Sequence, residues 1–306
     1  VHVDSYLCLP LVSKSRVLGA VNLVNSSCTE MDREVLMTIC SLAATSIENA
    51  LLYQDSLEKE RYQESLKIAR DIQMKLYPAT APDIAGLDIA SRTESCDETG
   101  GDYFDFLPHD DGSGMTMVIG DVSGHGIGAA LHMVSARAGL RAMCGSSSSL
   151  SDVLGALNDQ LEKDMETEQF MTMFVSTLSR RDPLRFVSAG HDAPCVFRAE
   201  DRSIDQLDAT GMPLGLFPGV PYSIGEVPPL GAGDVLLAMT DGVWEVHDPV
   251  GEMLGKERIA EIFCDLCQQH DSADRIADGI LAAVNEYTAG SPQRDDVTLV
   301  VIRASD

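Results

Sequence analysis

Basic residues are what this sequence has least of for its size. Its 306 residues include 22 Lys and Arg against 48 Asp and Glu, a formal net charge of −26. The imbalance is uneven. Residues 1–54 hold five acids and three bases, residues 55–77 five of each, and the rest 38 acids against 14 bases, with Lys163 and Lys256 the only lysines after residue 78. Such a surface repels nucleic acid and anionic membrane. It would also repel a phosphorylated substrate unless bound divalent cations reversed the sign locally. Aromatics are sparse at 5 %, and 13 Met help to fill the interior. The eight cysteines form no framework. Cys264 and Cys267 make a single CxxC with no second pair or His cluster to complete a zinc site. They read as two thiols one helical turn apart, and free thiols fit a reducing cytoplasm. No apolar run approaches the roughly 18–20 residues that cross a bilayer, so the expectation is a soluble, cytoplasmic chain. It begins at Val1 and not Met, which reads as a fragment with any upstream sensor or targeting segment out of view.

Proline is missing from Thr29 to Pro78, and only helix-compatible residues fill the gap. Thr29 with Asp32 three residues on is a capping-box-like start, so the spacing predicts one helix, or two nearly continuous ones, of about 45 residues. Asp55–Lys59 and Asp71–Lys75 stand at i,i+4, giving a charge-laced second half with Leu57, Leu66, Ile68, Ile72 and Leu76 as apolar positions. A dimerising, coiled-coil-like linker is the favoured reading over a solvated helix packed on its own domain. Upstream, residues 6–24 read as two strands around the turn Ser13-Lys14-Ser15-Arg16. Downstream the texture changes to β-type runs at 115–119, 170–178, 185–189, 195–198, 234–239 and 297–302. Helical segments fall at 127–143, 151–164, 256–269 and 272–287, with Gly145 and the serines after it marking a loop. Strands joined mostly by hairpins, with paired helices inserted, predict an α+β layered domain.

Acids stand at the ends of these strands. Asp102 closes Gly100-Gly101-Asp102 before a probable strand. Gly120-Asp121-Val122-Ser123-Gly124-His125-Gly126 joins a strand to a helix. Thr240-Asp241-Gly242 follows one strand, and Asp295-Asp296-Val297-Thr298 opens the last. Glycine neighbours let the backbone turn and bring carbonyl oxygens close to an ion, and Asp, carbonyl and water shells suit hard cations such as Mg²⁺ and Mn²⁺. Each motif alone is more often a turn with an Asp cap. A glycine pair before an acid also occurs in nucleotide cyclases of the GGDEF type, but Tyr103 and Phe104 follow here, and a cyclase would leave the three later acidic motifs unexplained.

Taken in order with Ser188-Ala189-Gly190-His191 and Gly211-Met212-Pro213-Leu214-Gly215, these motifs resemble the metal-dependent protein phosphatase (PPM) family in its bacterial SpoIIE-like branch, over residues 84–303. Residues 6–54, notably LPLV, VLGAVNLVN and SIENALLY, resemble the C-terminal half of a GAF sensor domain. The expected division is 1–54 partial GAF domain, 55–80 helical linker and 81–306 phosphatase. The resemblance implies an α-β-β-α sandwich of two antiparallel sheets flanked by helices, with two divalent cations, Mn²⁺ or Mg²⁺, activating a water for attack on phosphorus. It implies that Asp121 bridges both metals and the Val122 carbonyl completes one. Asp241 and Asp295 (alternatively Asp296) would hold the second metal, and Asp102 would serve the first, directly or through water. Gly124 and Gly126, at the start of the following helix, would lie near the phosphate. His125 either assists proton transfer or pins its turn, and His191 is expected to be structural. Arg92 is the nearest upstream arginine for the phosphate. The implied partner is a phosphorylated STAS-type anti-sigma-factor antagonist or another phosphoserine or phosphothreonine protein, acted on by a homodimer under sensor control. The alternative is a catalytically silent scaffold that binds a partner.

Overall fold

The computed structural model describes residues 3–14, 16–25, 27, 29–144, 149–166 and 168–305. Ser15 of the expected first turn, Cys28 and the Gly145–Ser148 loop lie outside them. The chain forms two compact units, Val1–Ile68 and Ala69–Asp306.

In the first unit, β1 (Tyr6–Ser13) and β2 (Arg16–Val24) make an antiparallel hairpin with a register shift at Leu11/Val12. Then α1 runs unbroken from Glu30 to Met74, so the expected long helix is a single one. Its start is a reciprocal capping box. The Thr29 N–H donates to Asp32 Oδ2 at 2.8 Å, and the Asp32 N–H donates to Thr29 Oγ1 at 3.3 Å. Within this unit the Ser13 hydroxyl donates to Glu48. Few side chains are buried, chiefly Leu9, Cys40 and Ala44, while Leu42, Leu51, Leu52, Tyr53 and Tyr62 stand exposed. One expectation fails here. An 18-residue window of α1 reaches a mean hydropathy of 1.6, so by length and composition α1 is long and apolar enough to cross a membrane. Ser41, Thr45, Ser46, Glu48 and Asn49 interrupt its apolar residues, which is why no continuous run announces it.

The second unit takes in the last turn of α1 and ten strands in two five-stranded sheets. In chain order the strands are β3 (Leu87–Glu94), β4 (Tyr103–Pro108), β5 (Met115–Val122), β6 (Met171–Leu178), β7 (Leu184–Ala189), β8 (Cys195–Phe197), β9 (Ile204–Gln206), β10 (Gly225–Val227), β11 (Val235–Met239) and β12 (Val297–Ala304). One sheet has the order β10-β7-β6-β5-β4 and the other β3-β12-β11-β8-β9, every pairing antiparallel. Helices α2 (Ile127–Met143) and α3 (Leu150–Asp164) pack on the first sheet, and α4 (Lys256–Gln269) and α5 (Ala273–Thr288) on the second. This is the expected α-β-β-α sandwich.

Strand periodicity builds both cores, because alternate side chains leave opposite faces. Along β12, Val300, Ile302 and Ala304 join Met117, Ile119 and Leu236 in the main core, while Val297, Leu299 and Val301 join Ile259, Phe263, Ile276 and Ile280 beneath α4 and α5. Such strands read as unbroken apolar runs because both faces are covered. Cys264 and Cys267 sit on α4 as free thiols, in line with the helical reading of the CxxC.

Candidate metal centre

Four strand ends bring the acids together. Asp121 is the penultimate residue of β5, and Asp102 directly precedes β4, its neighbour in the sheet. Asp241 follows β11 by one residue, and Asp295 and Asp296 directly precede β12, the neighbour of β11 in the other sheet. Each sheet thus contributes acids from two adjacent strands.

Tight backbone approach holds the loops in place. A Cβ on Gly101 would press against the Val122 carbonyl, and one on Gly242 would collide with the backbone of Asp296. The GGD and TDG glycines are therefore needed for clearance. Gly124 and Gly126 have φ of 87° and 79°, a left-handed turn that opens onto α2.

Asp102 is fully buried, and its Oδ2 accepts from the Thr240 hydroxyl at 2.8 Å. Thr240 Oγ1 in turn accepts from the Thr298 N–H at 3.1 Å, so the threonines of TDG and DDVT lock the two sheets across the acids. The adjacent acids Asp295 and Asp296 do different work. Asp296 is buried, and its oxygens accept from the backbone N–H groups of Cys96 and Gly101, both at 2.8 Å. It ties down the GGD loop. Asp295 is half-buried, with one oxygen accepting from the Asp296 N–H.

The electrostatics are lopsided. Burial, then Asp102, Asp241, Asp295 and Asp296, push the Asp121 carboxyl up to about 9. Burial and Asp295 lift Asp241 to about 6, burial also raises Asp295, and Asp102 is held well above the usual carboxylate range. Among the described residues no lysine or arginine pairs with any of the four. Nor do three or more His, Cys, Asp or Glu close into a finished metal-ligand set. What exists is an open, all-oxygen cluster of buried and half-buried acids lacking a counter-charge, a donor chemistry that fits hard divalent cations.

Three further side chains, absent from the expected site, hold it. Gln73, in the last turn of α1, is buried; its amide donates to the Gly100 carbonyl at 2.7 Å and accepts from the Gly100 N–H at 3.2 Å. The Tyr77 hydroxyl donates to the Asp102 carbonyl at 2.7 Å, and its ring stacks on Phe104. Asp97 Oδ2 lies 2.8 Å from His125 Nδ1. Polar residues ending a helix or sitting in an acidic loop gave no spacing signal. His125 is largely exposed and near enough to Asp295 to lower its carboxyl pKa.

Two other residues lie outside this cluster. His191 is buried with Nδ1 2.9 Å from Thr172 Oγ1, and burial pushes its pKa down to about 4, so it is a neutral core histidine as expected. Arg92 is committed to Asp274 and Asp278 of α5 at 3.0 and 2.7 Å, which removes it as a free phosphate ligand.

Residues 111–305 match the sequence family Stage II sporulation protein E (SpoIIE). The chain belongs to the SpoIIE family. Its enzyme class is accordingly that of a protein phosphatase with the PPM fold. Asp121, Val122, Asp241 and Asp295 lie inside the SpoIIE match, whereas the GGD loop precedes it. Phosphoserine phosphatase RsbU of Bacillus subtilis (strain 168) is 26 % identical over 281 residues, covering 89 % of this chain and 81 % of that protein. The SiaA-PP2C domain of Pseudomonas aeruginosa superposes with a TM-score of 0.69 at 22 % identity, over 80 % of this chain and 98 % of that one. The RsbU and RsbW domains of Rv1364c from Mycobacterium tuberculosis give a TM-score of 0.62 at 27 % identity, over 73 % and 61 %.

Proposed function

We propose that this SpoIIE-family chain hydrolyses phosphoserine or phosphothreonine on a partner protein of a bacterial signalling pathway. The observation that carries the reading is the convergence of buried and half-buried acids from four strand ends without a lysine or arginine to neutralise them among the described residues. Asp121, Asp241, Asp295 and the Val122 carbonyl would hold the divalent cations, with Asp102 serving directly or through water. Bound Mn²⁺ or Mg²⁺ would supply Lewis acidity toward the phosphoryl oxygens and lower the pKa of water. The chain does the rest. Asp296, Gln73 and Tyr77 keep the GGD loop in register. Gly124 and Gly126 present the N-terminus of α2, whose unpaired N–H groups suit an anion. Asp97 orients the His125 ring, leaving the other ring nitrogen to pass a proton to the leaving oxygen.

The partner that best fits the resemblance is a small STAS-type anti-sigma-factor antagonist. RsbU, the relative covering most of this chain's length, is named a phosphoserine phosphatase, which supports the substrate class. For residues 1–54 we favour part of a GAF sensor domain, with residues 55–80 as a linker through which two chains dimerise in the cytoplasm. The exposed apolar residues of α1 support that assignment. Phosphate release from phosphoserine proteins, with and without Mn²⁺, tests the activity. Release that is strictly metal-dependent is expected; no release from any phosphoprotein would leave the silent-scaffold reading. Light scattering of residues 1–306 against 80–306 tests the linker, and monomers in both cases at micromolar concentration would refute it.

A further inference from the structure

Beside the acid cluster lies a groove that no step above uses. Its cavity of about 450 Å³ runs between the loop after β11 (residues 242–251) and the end of α5 with the segment 291–295. Asp295 and Gly242 line it, so it opens directly off the candidate metal centre. Its walls are built to hold shape. Asp248 Oδ1 accepts from the Val250 and Glu252 N–H groups at 2.9 and 2.8 Å, His247 bridges Met253, and the Gln293 amide donates to the Glu94 and Asp295 carbonyls at 2.8 and 2.7 Å. The lining mixes the apolar side chains of Val246, Leu281 and Val284 with polar groups that have no use within the fold. His247 Nδ1 is buried with no hydrogen-bond partner. Glu94, Glu245 and Arg294 take part in no ion pair among the described residues. A buried polar atom left unpaired is destabilising unless something satisfies it. A bound chain, with its regularly spaced backbone N–H and C=O groups, is suited to do so.

We propose that this groove seats the polypeptide segment flanking the phosphoresidue, taking an apolar side chain between Val246 and Leu281 and a basic one against Glu94 and Glu245. The proposal rests on the phosphatase reading for what lies at the groove's end, and it extends that reading to how the substrate is chosen. Four lining acids, Glu94, Glu245, Asp248 and Asp295, against Arg294, on a chain of net charge −26, set the preferred sign of the partner. A two-metal centre is indifferent to the body of its leaving group, so selectivity has to come from such a neighbouring surface.

The test uses the full chain with two short serine peptides, one flanked by leucine and arginine and one with glutamate replacing the arginine. Binding of the fluorescein-labelled, unphosphorylated peptides is followed by anisotropy, which needs no turnover. The arginine peptide is expected to bind tighter. Glu94→Lys should weaken it about fivefold and strengthen the glutamate peptide, as reversal of an exposed pair does. As a second variant, Leu281→Trp, which fills the groove, should lower kcat/KM for the phosphorylated arginine peptide at least about fivefold more than for p-nitrophenyl phosphate, which has no flanking chain. Equal binding of both peptides by wild type and Glu94→Lys, or equal losses on both substrates, overturns the proposal. Charge-swapped binding by a chain that hydrolyses nothing would uphold the groove while refuting the phosphatase reading.

Discussion

Two groups of buried aspartates sit on adjoining strands and have been treated oppositely by the fold. Asp105, on β4, is fully enclosed, yet every need is met from within the chain. Arg141 grips it at 2.6 and 2.7 Å, the Tyr103 hydroxyl donates at 2.9 Å, and the Phe106 N–H donates at 2.9 Å. Three residues earlier, Asp102 is buried with a threonine hydroxyl as partner and no cation, and its neighbours around Asp121 also have no cation among the described residues. A buried carboxylate with its own arginine is architecture. Carboxylates crowded together at and below the surface without one call for positive charge from outside, and that is the physical basis of the proposed metal centre.

The contrast can be broken at either end. The largest effect is expected from Asp121→Asn, which should cut phosphate release by about 10³-fold or more while raising the melting temperature of the metal-free chain, because an amide at this site avoids the cost of holding a carboxyl protonated there. Turnover and thermal melting on the same preparation check both halves. Arg141→Met should act in the opposite sense. It removes the closer of two arginines from Asp105, leaving Arg137 at 3.9 Å, and should cost about 3 kcal/mol in denaturant unfolding, the lower end for a broken buried pair because Arg141 is itself part-exposed. Added Mn²⁺ should not rescue that loss.

A smaller effect sharpens the comparison from the side of α1. Gln73→Leu removes two buried hydrogen bonds to Gly100 and should destabilise the chain by about 1–3 kcal/mol. It should also raise the Mn²⁺ concentration needed for half-maximal activity, which melting curves of the metal-free chain would not report. An unchanged metal requirement would mean that the GGD loop keeps its register without α1. A further effect is in pH. Carboxyls whose folded pKa is raised keep protons that the unfolded chain has released. Their stabilisation is complete below about pH 4 and is lost as pH rises through about 6 for Asp241 and about 9 for Asp121. The melting temperature of metal-free chain should therefore fall by about 2–4 °C for each kcal/mol lost. Asp121→Asn should flatten the upper part of that fall.

Much of this was legible beforehand where a single chain segment carries the information. Helices 127–143 and 256–269 and the strand runs around 115, 171 and 297 follow from local period and turn chemistry, and the capping box at Thr29 fixed where α1 begins. The acids were found because each stands beside a glycine or threonine at a strand end. What stayed hidden depends on partners far apart in sequence. Nothing around Gln73 reveals that Gly100 needs an amide, nor does Arg92 reveal that α5 will claim it. The adjacent acids Asp295 and Asp296 differ in a way no local sequence shows, since the N–H groups of Cys96 and Gly101 occupy Asp296. The membrane-length hydropathy of α1 was masked by polar residues scattered through it.

The central claim is that the Asp121 cluster exists to be neutralised by divalent cations. Isothermal titration of Mn²⁺ into metal-free chain, run in two buffers of different ionisation enthalpy, tests it most directly. The account predicts binding accompanied by proton release, since burial and the neighbouring acids push the Asp121 carboxyl up to about 9, and it predicts that Asp121→Asn abolishes that binding. Absence of binding at millimolar Mn²⁺, or binding that survives Asp121→Asn with the same affinity and proton release, would contradict it.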